Sequence, residues 1–212
     1  NLNELKTIET MSKKKILNLH AGLGGNSLKW DRDLYDITAV ELEPKIAKVY
    51  QDNNQQDKVV VGDAMHYLKK HRNDFDFIWA SPPCQKHSRM MKATRHDVAD
   101  YIDASLYQII IFLTHFYKGK WCVENVKPYY DPLIKPTCVM GRHYFWANFE
   151  IFPIDVPNIK GFITNGTAAE TKKMKDWLGI QYEGNIYYKG NHCPGQVLRN
   201  CVHPDVGQHI LS

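Results

Sequence analysis

The sequence predicts an α/β protein with a mostly parallel, doubly wound sheet that is covered by helices on both faces. Two observations lead to this fold class. Short apolar segments typical of buried strands alternate with helical segments over most of the first 126 residues, and this alternation is the pattern of parallel sheets. Polar residues also follow several strand segments, at the edge where open α/β sheets keep their active sites.

The elements of the first part of the chain are assigned from local pattern. Five strands are predicted, at 16–20, 37–41, 59–61, 75–80 and 120–124. Helices are predicted between them, namely a short one after a glycine loop and longer ones at 44–52, 64–72 and 105–117. Pro44 opens the second of these helices at a first-turn position that tolerates proline. The polar, basic stretch at 86–100 is predicted to be a mobile loop.

The pattern changes after residue 136. The further predicted elements are an aromatic strand at 143–149, a helix at 167–178, a loop at 184–195 and a last helix within 196–211 that begins near Pro204. Thr167 and Glu170 have the spacing of a capping box, and Gly179 stands where such a helix stops.

Length and composition indicate one globular domain with a sizeable core. The chain has 212 residues, of which 43% are hydrophobic and 24% charged. We assign residues 11–212 to a single domain that starts at Met11, and we set residues 1–10 aside as an upstream extension or an expression remnant. The net charge of +4 permits a polyanionic partner without arguing for one. No apolar run is long enough to span a bilayer and no secretory signal is visible, so we expect a cytoplasmic protein.

The five cysteines are odd in number and irregularly spaced, which argues against a disulfide framework and for a reducing cytosol. His192 and Cys193, with Cys201 and His203, could be drawn as a zinc cluster, but their spacing matches no standard site. We therefore predict no metal.

The most informative segment is Ser81-Pro82-Pro83-Cys84-Gln85, directly after the fourth strand. A cysteine in a rigid Pro-Pro turn at the carboxyl end of a strand is placed for nucleophilic attack. Glu124 and Asn125 end the next strand, and a carboxylic acid there can stabilise charge on a polarised ring. The alternative for Cys84 is a small buried apolar residue, which the prolines before it and the polar loop after it disfavour.

A nucleoside cofactor is predicted from three features at successive strand ends. The glycine segment 21–25 lets a ligand approach the backbone at the start of a helix. Glu41 ends the second strand, where a carboxylate can accept from both hydroxyls of a ribose. Asp63 follows the third strand, where it can accept from an exocyclic amine such as that of adenine. Each acidic residue could instead be a helix-start residue favoured by the helix dipole; the three features together favour the cofactor.

Taken together, these motifs resemble the DNA cytosine-5 methyltransferases over nearly the whole chain, in the family's usual order. The matching segments are 21–25 for the cofactor loop, Glu41 with Pro44, Ala47 and Tyr50, Gly62-Asp63, Pro83-Cys84-Gln85, Glu124-Asn125-Val126, Arg142-His143-Tyr144, Thr167 to Gly179 and Arg199-Asn200-Cys201-Val202. The resemblance implies a Rossmann-like class I methyltransferase fold, S-adenosyl-L-methionine as the cofactor and S-adenosyl-L-homocysteine as its product.

The resemblance also implies roles for individual residues. Cys84 would add to carbon 6 of a flipped-out cytosine, which makes carbon 5 nucleophilic. Glu124, as the acid, would hold ring nitrogen 3, and Arg142 would orient the base carbonyl and the carboxyl group. The implied cofactor contacts are His20, Gly22, Leu23, Gly24, Gly25, Glu41, Asp63, Ala64, Leu106 and Asn200.

Several positions depart from the family's pattern. His20 stands where the family favours an aromatic ring that stacks on adenine. Met140 replaces the first of two paired arginines, so only Arg142 is carried over, and Arg199 occupies the place of a glycine. The segment 81–83 is also similar to the Ser-Pro-Pro-aromatic motif of exocyclic-amine methyltransferases, but Cys84 supplies no aromatic platform.

The largest departure is a deletion. The family has a long recognition domain between the arginine strand and the helix that follows it, where this chain has only a vestigial segment at 150–166. So short a segment does not fold as an independent module and supplies few base contacts. We therefore expect DNA to be held by the basic loop after the nucleophile, through Lys86, Arg89, Lys92 and Arg95. The alternative is that this loop is an ordinary solvated surface.

Three functions stay open on the sequence. The first is methylation of carbon 5 of cytosine in DNA. The second is the same chemistry on RNA or a free nucleotide, and the third is a weakly active S-adenosylmethionine-binding subunit that works with a partner chain. A homodimer or a partner chain could supply sequence recognition. The compactness of the chain suggests a prokaryotic or phage source, with a restriction–modification system as one possible setting.

Overall fold

One seven-stranded sheet organises the protein, as a computed structural model shows for residues 12–83, 104–128, 130–156, 167–187 and 193–212. The strands are β1 (Lys14–Leu19), β2 (Tyr35–Glu41), β3 (Lys58–Val61), β4 (Phe77–Ala80), β5 (Lys120–Val126), β6 (Cys138–Met140) and β7 (His143–Ala147). Their order in the sheet is β3-β2-β1-β4-β5-β7-β6. The predicted fold class, an α/β protein with a mostly parallel sheet, is confirmed.

The strand order places the site. The first five strands are parallel, and β1 lies between β2 and β4. The chain thus builds outward from β1 to one edge and then returns to build toward the other edge. Ligands of open α/β sheets bind at such a switch point, beyond the carboxyl ends of the strands. Here that position lies after Leu19 of β1 and Ala80 of β4.

The helices cover the sheet on both faces. They are α1 (Pro44–Asn53), α2 (Ala64–His71), α3 (Ser105–Phe116), α4 (Ala168–Leu178), α5 (Gln196–Arg199) and α6 (Pro204–Leu211). The capping box of α4 is present in both directions between Thr167 and Glu170, and Gly179 ends that helix in the left-handed conformation. Both features match the sequence prediction.

Alternate residues of the strands build two cores. In β1, Leu17 and Leu19 join a cluster with α2 and α3, whereas Ile16 joins a cluster with α6. Trp79 of β4 and Phe145 of β7 lie in that second cluster, and each is fully buried. Burying a large apolar side chain contributes roughly 1.5–3 kcal/mol, so both faces of the sheet stabilise the position of the strand ends.

Three details differ from the sequence prediction. β6 was not predicted, because a three-residue strand carries too little pattern to recognise. The predicted helix after the glycine loop is a single 3-10 turn, Gly25–Ser27. The carboxyl-terminal region holds two helices, α5 and α6, with an extended link between them that carries Cys201 and Val202. Within the described ranges, no helix is both long and apolar enough to cross a bilayer.

Candidate active site

A cavity of about 440 Å³ lies at the carboxyl ends of all five parallel strands. Its walls include nine of the residues that the sequence singled out for cofactor or substrate. They are His20, Gly22, Leu23, Gly25, Glu41, Asp63, Ala64, Glu124 and Asn200. The structure thus brings together side chains that are up to 180 residues apart in the chain.

Two predicted cofactor residues lie outside the walls formed by the described residues. Gly24 has φ +84, and a Cβ there would lie 2.8 Å from the ring of Tyr50 and from Nδ2 of Asn54. This position therefore needs glycine for packing behind the loop. Leu106 is 1% exposed and belongs to the core beneath the sheet. Their assignment to the cofactor stays a prediction.

The glycine loop is tied to the second strand. The backbone N–H of Gly22 donates to Oε2 of Glu41 at 2.9 Å, and the N–H of Glu43 donates to Oε1 at 3.0 Å. Burial raises the pKa of Glu41, and these backbone hydrogen bonds oppose that rise. The carboxylate is consequently held in one orientation, with its remaining lone pairs available to the hydroxyls of a ligand.

The position of Asp63 is compatible with both interpretations that the sequence left open, a helix-start residue and an acceptor for a ligand amine. It is the N-cap of α2, and its Oδ1 accepts from the backbone N–H of His66 at 2.7 Å. It also lines the cavity. The second carboxylate oxygen can accept from an amine, because capping uses one oxygen only.

His20 follows β1 in a left-handed conformation, with φ 52. Its Nδ1 is buried and has no hydrogen-bond partner among the described residues. Burial lowers its pKa to about 4, so the imidazole is neutral at physiological pH. Buried polar atoms are normally hydrogen-bonded to protein, ordered water or a ligand, so this nitrogen is free to pair with a molecule in the cavity.

The walls fit a nucleoside cofactor such as S-adenosylmethionine. A Cβ placed at Gly22 or at Gly62 would meet no atom within 4 Å, although both residues line the cavity. Any side chain at these positions would occupy that space. Backbone open to close approach and the oriented Glu41 carboxylate are features that a nucleoside ligand can use; the contacts of the individual residues with the cofactor stay predictions.

Glu124 is the buried acid of the site. It is 4% exposed at the end of β5, and burial raises its pKa to about 7, against the opposing effects of a hydrogen bond from Ser81 and the positive charge of Arg142. The Ser81 hydroxyl is itself oriented, because Nε1 of Trp79 donates to its Oγ at 2.8 Å. A carboxyl group with such a pKa is protonated in a large fraction of molecules near neutral pH.

The proline turn is fixed by two neighbouring strands. Nδ2 of Asn125 donates to the carbonyl oxygen of Pro82 at 2.9 Å, and the N–H of Ser81 donates to the carbonyl of Leu19 at 3.1 Å. Pro83 lines the cavity and is followed directly by Cys84 in the sequence. Cys84 lies outside the described residues, as do the predicted DNA contacts Lys86, Arg89, Lys92 and Arg95.

Arg142 is exposed in the turn directly before β7, and its Nη2 donates to the carbonyl oxygen of Arg199 at 2.8 Å. It is close enough to Glu124 to lower that group's pKa. The next residue, His143, was not predicted, although its Nε2 lies 3.7 Å from Oε1 of Glu124. Only the antiparallel pairing of β5 with β7 brings them together, and a single sequence does not reveal that pairing.

The segment after α5 packs against the glycine loop. A Cβ at Gly25 would lie 2.6 Å from the carbonyl oxygen of Val202 and 2.9 Å from Cβ of Cys201. Glycine is therefore needed here because a distant part of the chain approaches it closely. Asn200, one residue earlier, lines the cavity, and its place over the cofactor stays a prediction.

Comparison with solved structures finds several distant similarities. A hypothetical protein of Thermus thermophilus has 17% identity over 66% of this chain and 76% of its own, with a TM-score of 0.45. A triple mutant of DNMT2 from Spodoptera frugiperda has 26% identity over 54% of this chain and 36% of its own, with a TM-score of 0.38. A putative DNA modification methyltransferase from an E. coli prophage has 22% identity, 56% and 34% coverage and a TM-score of 0.39. This chain spans about a third of the last two proteins, and none of the three assigns it a substrate.

Sequence comparison is more informative about the family. No curated protein matches the chain significantly. The family model of the C-5 cytosine-specific DNA methylases matches residues 14–132, which is more than half of the chain and includes all five parallel strands. The matched region carries the glycine loop, Glu41, Asp63, Glu124 and the proline turn. The chain therefore belongs to the C-5 cytosine-specific DNA methylase family, and its methyl donor is S-adenosylmethionine.

Proposed function

We propose that the protein methylates carbon 5 of cytosine in DNA, through covalent attack of Cys84 on carbon 6 of a flipped-out base. One observation carries this proposal. The buried acid Glu124 and the proline turn that precedes Cys84 line the same cavity as the glycine loop, Glu41 and Asp63. A cofactor site and a site for acid-assisted addition to a ring thus share one space.

The nucleophile is needed because carbon 5 of cytosine is a poor nucleophile. Addition of the Cys84 thiolate to carbon 6 forms a C–S bond and moves the ring electrons so that carbon 5 becomes enamine-like. S-adenosylmethionine, when bound, supplies the methyl group as an electrophile. Loss of the carbon 5 proton to a base then allows the C–S bond to break and regenerates Cys84.

Glu124 supports the addition by acting on ring nitrogen 3. The carboxylic acid form can give its proton to that nitrogen as the thiolate adds, so that negative charge does not build up on the ring. A pKa of about 7 suits this role, because a general acid works best when its pKa lies near the operating pH. Arg142 can then stabilise the carboxylate that remains and can orient the base carbonyl.

The cofactor is held by the first three strand ends in this proposal. Glu41 would accept from the ribose hydroxyls and Asp63 from the adenine amine, while His20 would lie against the adenine. The amino-acid end would lie on the glycine loop, covered by Asn200. The open space over Gly22 and Gly62 and the fixed carboxylate of Glu41 support this orientation.

The substrate is proposed to be DNA, since the chain belongs to a DNA methylase family. A base stacked in a duplex cannot present its ring face to a thiol, so the target has to be flipped out. The segment 150–166 is short for sequence recognition, and the basic residues after Cys84 are proposed to hold the phosphates. We accordingly expect a recognition sequence of only a few bases around the cytosine.

The experiment is mass analysis of nucleosides from DNA and from RNA after incubation with the protein and S-adenosylmethionine carrying a deuterated methyl group. We expect labelled 5-methylcytosine in DNA. Label found only in RNA would mean that RNA, and not DNA, is the substrate. Binding of S-adenosylmethionine without any labelled cytosine would favour a subunit that works with a partner chain.

The Cys84→Ala variant tests the covalent step. It should bind S-adenosylmethionine like the wild type and lose turnover. DNA that carries 5-fluorocytosine should trap the wild-type protein as a stable adduct, because fluorine is not lost as a proton is. Trapping of the Cys84→Ala variant would refute the assignment of the nucleophile.

A further inference from the structure

His143 is a buried polar side chain next to the proposed acid. In the antiparallel pairing of β5 and β7 it stands opposite Val126, two residues after Glu124, so His143 and Glu124 point to the same face of the sheet. The side chains are 10% and 5% exposed, and His143 Nε2 lies 3.7 Å from Glu124 Oε1. That nitrogen is buried and has no hydrogen-bond partner among the described residues.

We propose that His143 is a positioning residue for Glu124. The Nε2–H of His143 donates to Oε1 of Glu124 once the carboxyl group has lost its proton, whether to a bound base or, in the free protein, to solvent. The inference rests on the proposed function, because it concerns the acid of that reaction. His143 stays neutral throughout and exchanges no proton. The proton on Glu124 goes to ring nitrogen 3, and the N–H of His143 holds the carboxylate that this transfer leaves behind.

The geometry is that of a bond ready to form. A separation of 3.7 Å exceeds the roughly 2.7–3.2 Å of an N–H···O hydrogen bond, and rotation of the carboxyl group can close the difference because its terminal torsion is soft. In the structure the carboxyl group of Glu124 accepts a hydrogen bond from the side chain of Ser81. A buried nitrogen without a hydrogen-bond partner raises the free energy of the folded protein. Movement of the Glu124 carboxyl group toward His143 would therefore lower that free energy.

Burial and the charges around the pair keep the imidazole of His143 neutral, so the proposed contact is a hydrogen bond from a neutral ring to a carboxylate and not an ion pair. The separation alone would suggest an ion pair, but burial and the positive charges of Arg142 and Lys127 lower the pKa of His143 to about 3. The imidazole is therefore uncharged near neutral pH.

Arg142 and His143 act on Glu124 in different ways. Among the described residues, those that act on its carboxyl group or respond to its charge are Ser81, Cys122, Arg142, His143 and Cys201. Burial raises the pKa of both thiols, so they carry no charge near neutral pH. The positive charge of Arg142 thus stabilises the carboxylate of Glu124. The proposed hydrogen bond from His143 fixes the orientation of that carboxylate.

Two variants of similar size separate this role from packing. His143→Gln keeps an N–H at about the reach of Nε2, whereas His143→Met fills the space without a donor. We expect the Met variant to lose at least about tenfold in kcat, with the KM values for DNA and S-adenosylmethionine within about twofold of wild type. A factor of ten corresponds to about 1.4 kcal/mol, the size of one hydrogen bond to a charged group. The Gln variant should recover most of the loss.

An NMR titration of the Glu124 carboxyl group tests the contact between His143 and Glu124 without any substrate. In protein with ¹³C-labelled glutamate side chains, assigned by comparison with Glu124→Gln, the Glu124 signal should titrate near pH 7. The midpoint should move upward in His143→Met, because removing a donor to the carboxylate favours the protonated form. It should stay near the wild-type value in His143→Gln. Identical kcat values and midpoints in all three proteins would overturn the proposal.

The wild-type chain provides a measurement that does not depend on how the variants fold. With its pKa lowered to about 3, His143 does not titrate near neutral pH, so its Nε2 ¹⁵N shift should follow the titration of Glu124 with the same midpoint. A constant His143 shift across the Glu124 titration would refute the contact. Because this measurement needs no turnover, it stands whether or not the protein methylates DNA.

Discussion

Replacing Glu124 by glutamine should remove a pH dependence of stability that this one side chain creates. The folded pKa of about 7 lies above the ordinary value of 4.5, so the folded protein binds the proton more tightly than the unfolded chain does. The stabilisation is fully present below the ordinary value and is lost as the pH rises through the folded one. A difference of roughly 2.5 pKa units, at about 1.36 kcal/mol per unit, amounts to about 3 kcal/mol.

The assay is urea unfolding of the ligand-free protein at about pH 5 and about pH 8, for wild type, Glu124→Gln and the exposed control Glu183→Gln. Between the two pH values the wild type and the control should each lose about 2.5 kcal/mol more of their free energy of unfolding than Glu124→Gln does. This is less than the full shift, because at about pH 5 the unfolded chain has already lost most of its Glu124 protons. The control carries the same change of charge, so it separates burial from net charge. An equal pH dependence in all three proteins would show that Glu124 is not a buried, protonated acid, and the proposed proton donor would then have to be another group.

Two further predictions concern the cofactor and the DNA. Glu41→Ala removes the acceptor for the Gly22 N–H and for the proposed ribose hydroxyls; a charge-assisted bond contributes about 1.5–3 kcal/mol, so calorimetry should show at least about tenfold weaker binding of S-adenosylmethionine. Wild-type affinity in both Glu41→Ala and Asp63→Ala would place the cofactor elsewhere. Arg89→Ala and Arg95→Ala should weaken DNA binding about equally for all sequences and should each reduce the slope of log K against log salt; unchanged slopes would mean that the basic loop is an ordinary solvated surface.

The parts of the site that the sequence predicted are local ones. Glu41, Asp63 and Glu124 each follow or end a short apolar segment, so their place at a strand end could be inferred from a few neighbouring residues. The alternation of strands and helices then implied that parallel strand ends share one edge. The cavity confirms that these three side chains are brought together, while their chemical roles stay predictions.

The parts that were missed depend on which segments pair in space. His143 faces Glu124 only because β7 runs antiparallel to β5 in one register, and a shift of one residue would turn it to the other face. Gly25 is required by the approach of Cys201 and Val202 from the far end of the chain. Gly24 shows the reverse case, since a glycine in a cofactor motif is explained here by its contact with Tyr50. Residue type and spacing do not distinguish these reasons.

Three hydrogen bonds that shape the cavity lie within the region that the family model matches. Gly22 is bonded to Glu41, Ser81 to Leu19 and Asn125 to Pro82. All these partners lie between residues 19 and 125, inside the region that the family model matches. The strand ends therefore position one another, and the segment at 150–166 supplies none of these three contacts. The reduced recognition segment that we predict from the sequence is compatible with an intact cavity edge, because these three contacts lie in a different part of the chain.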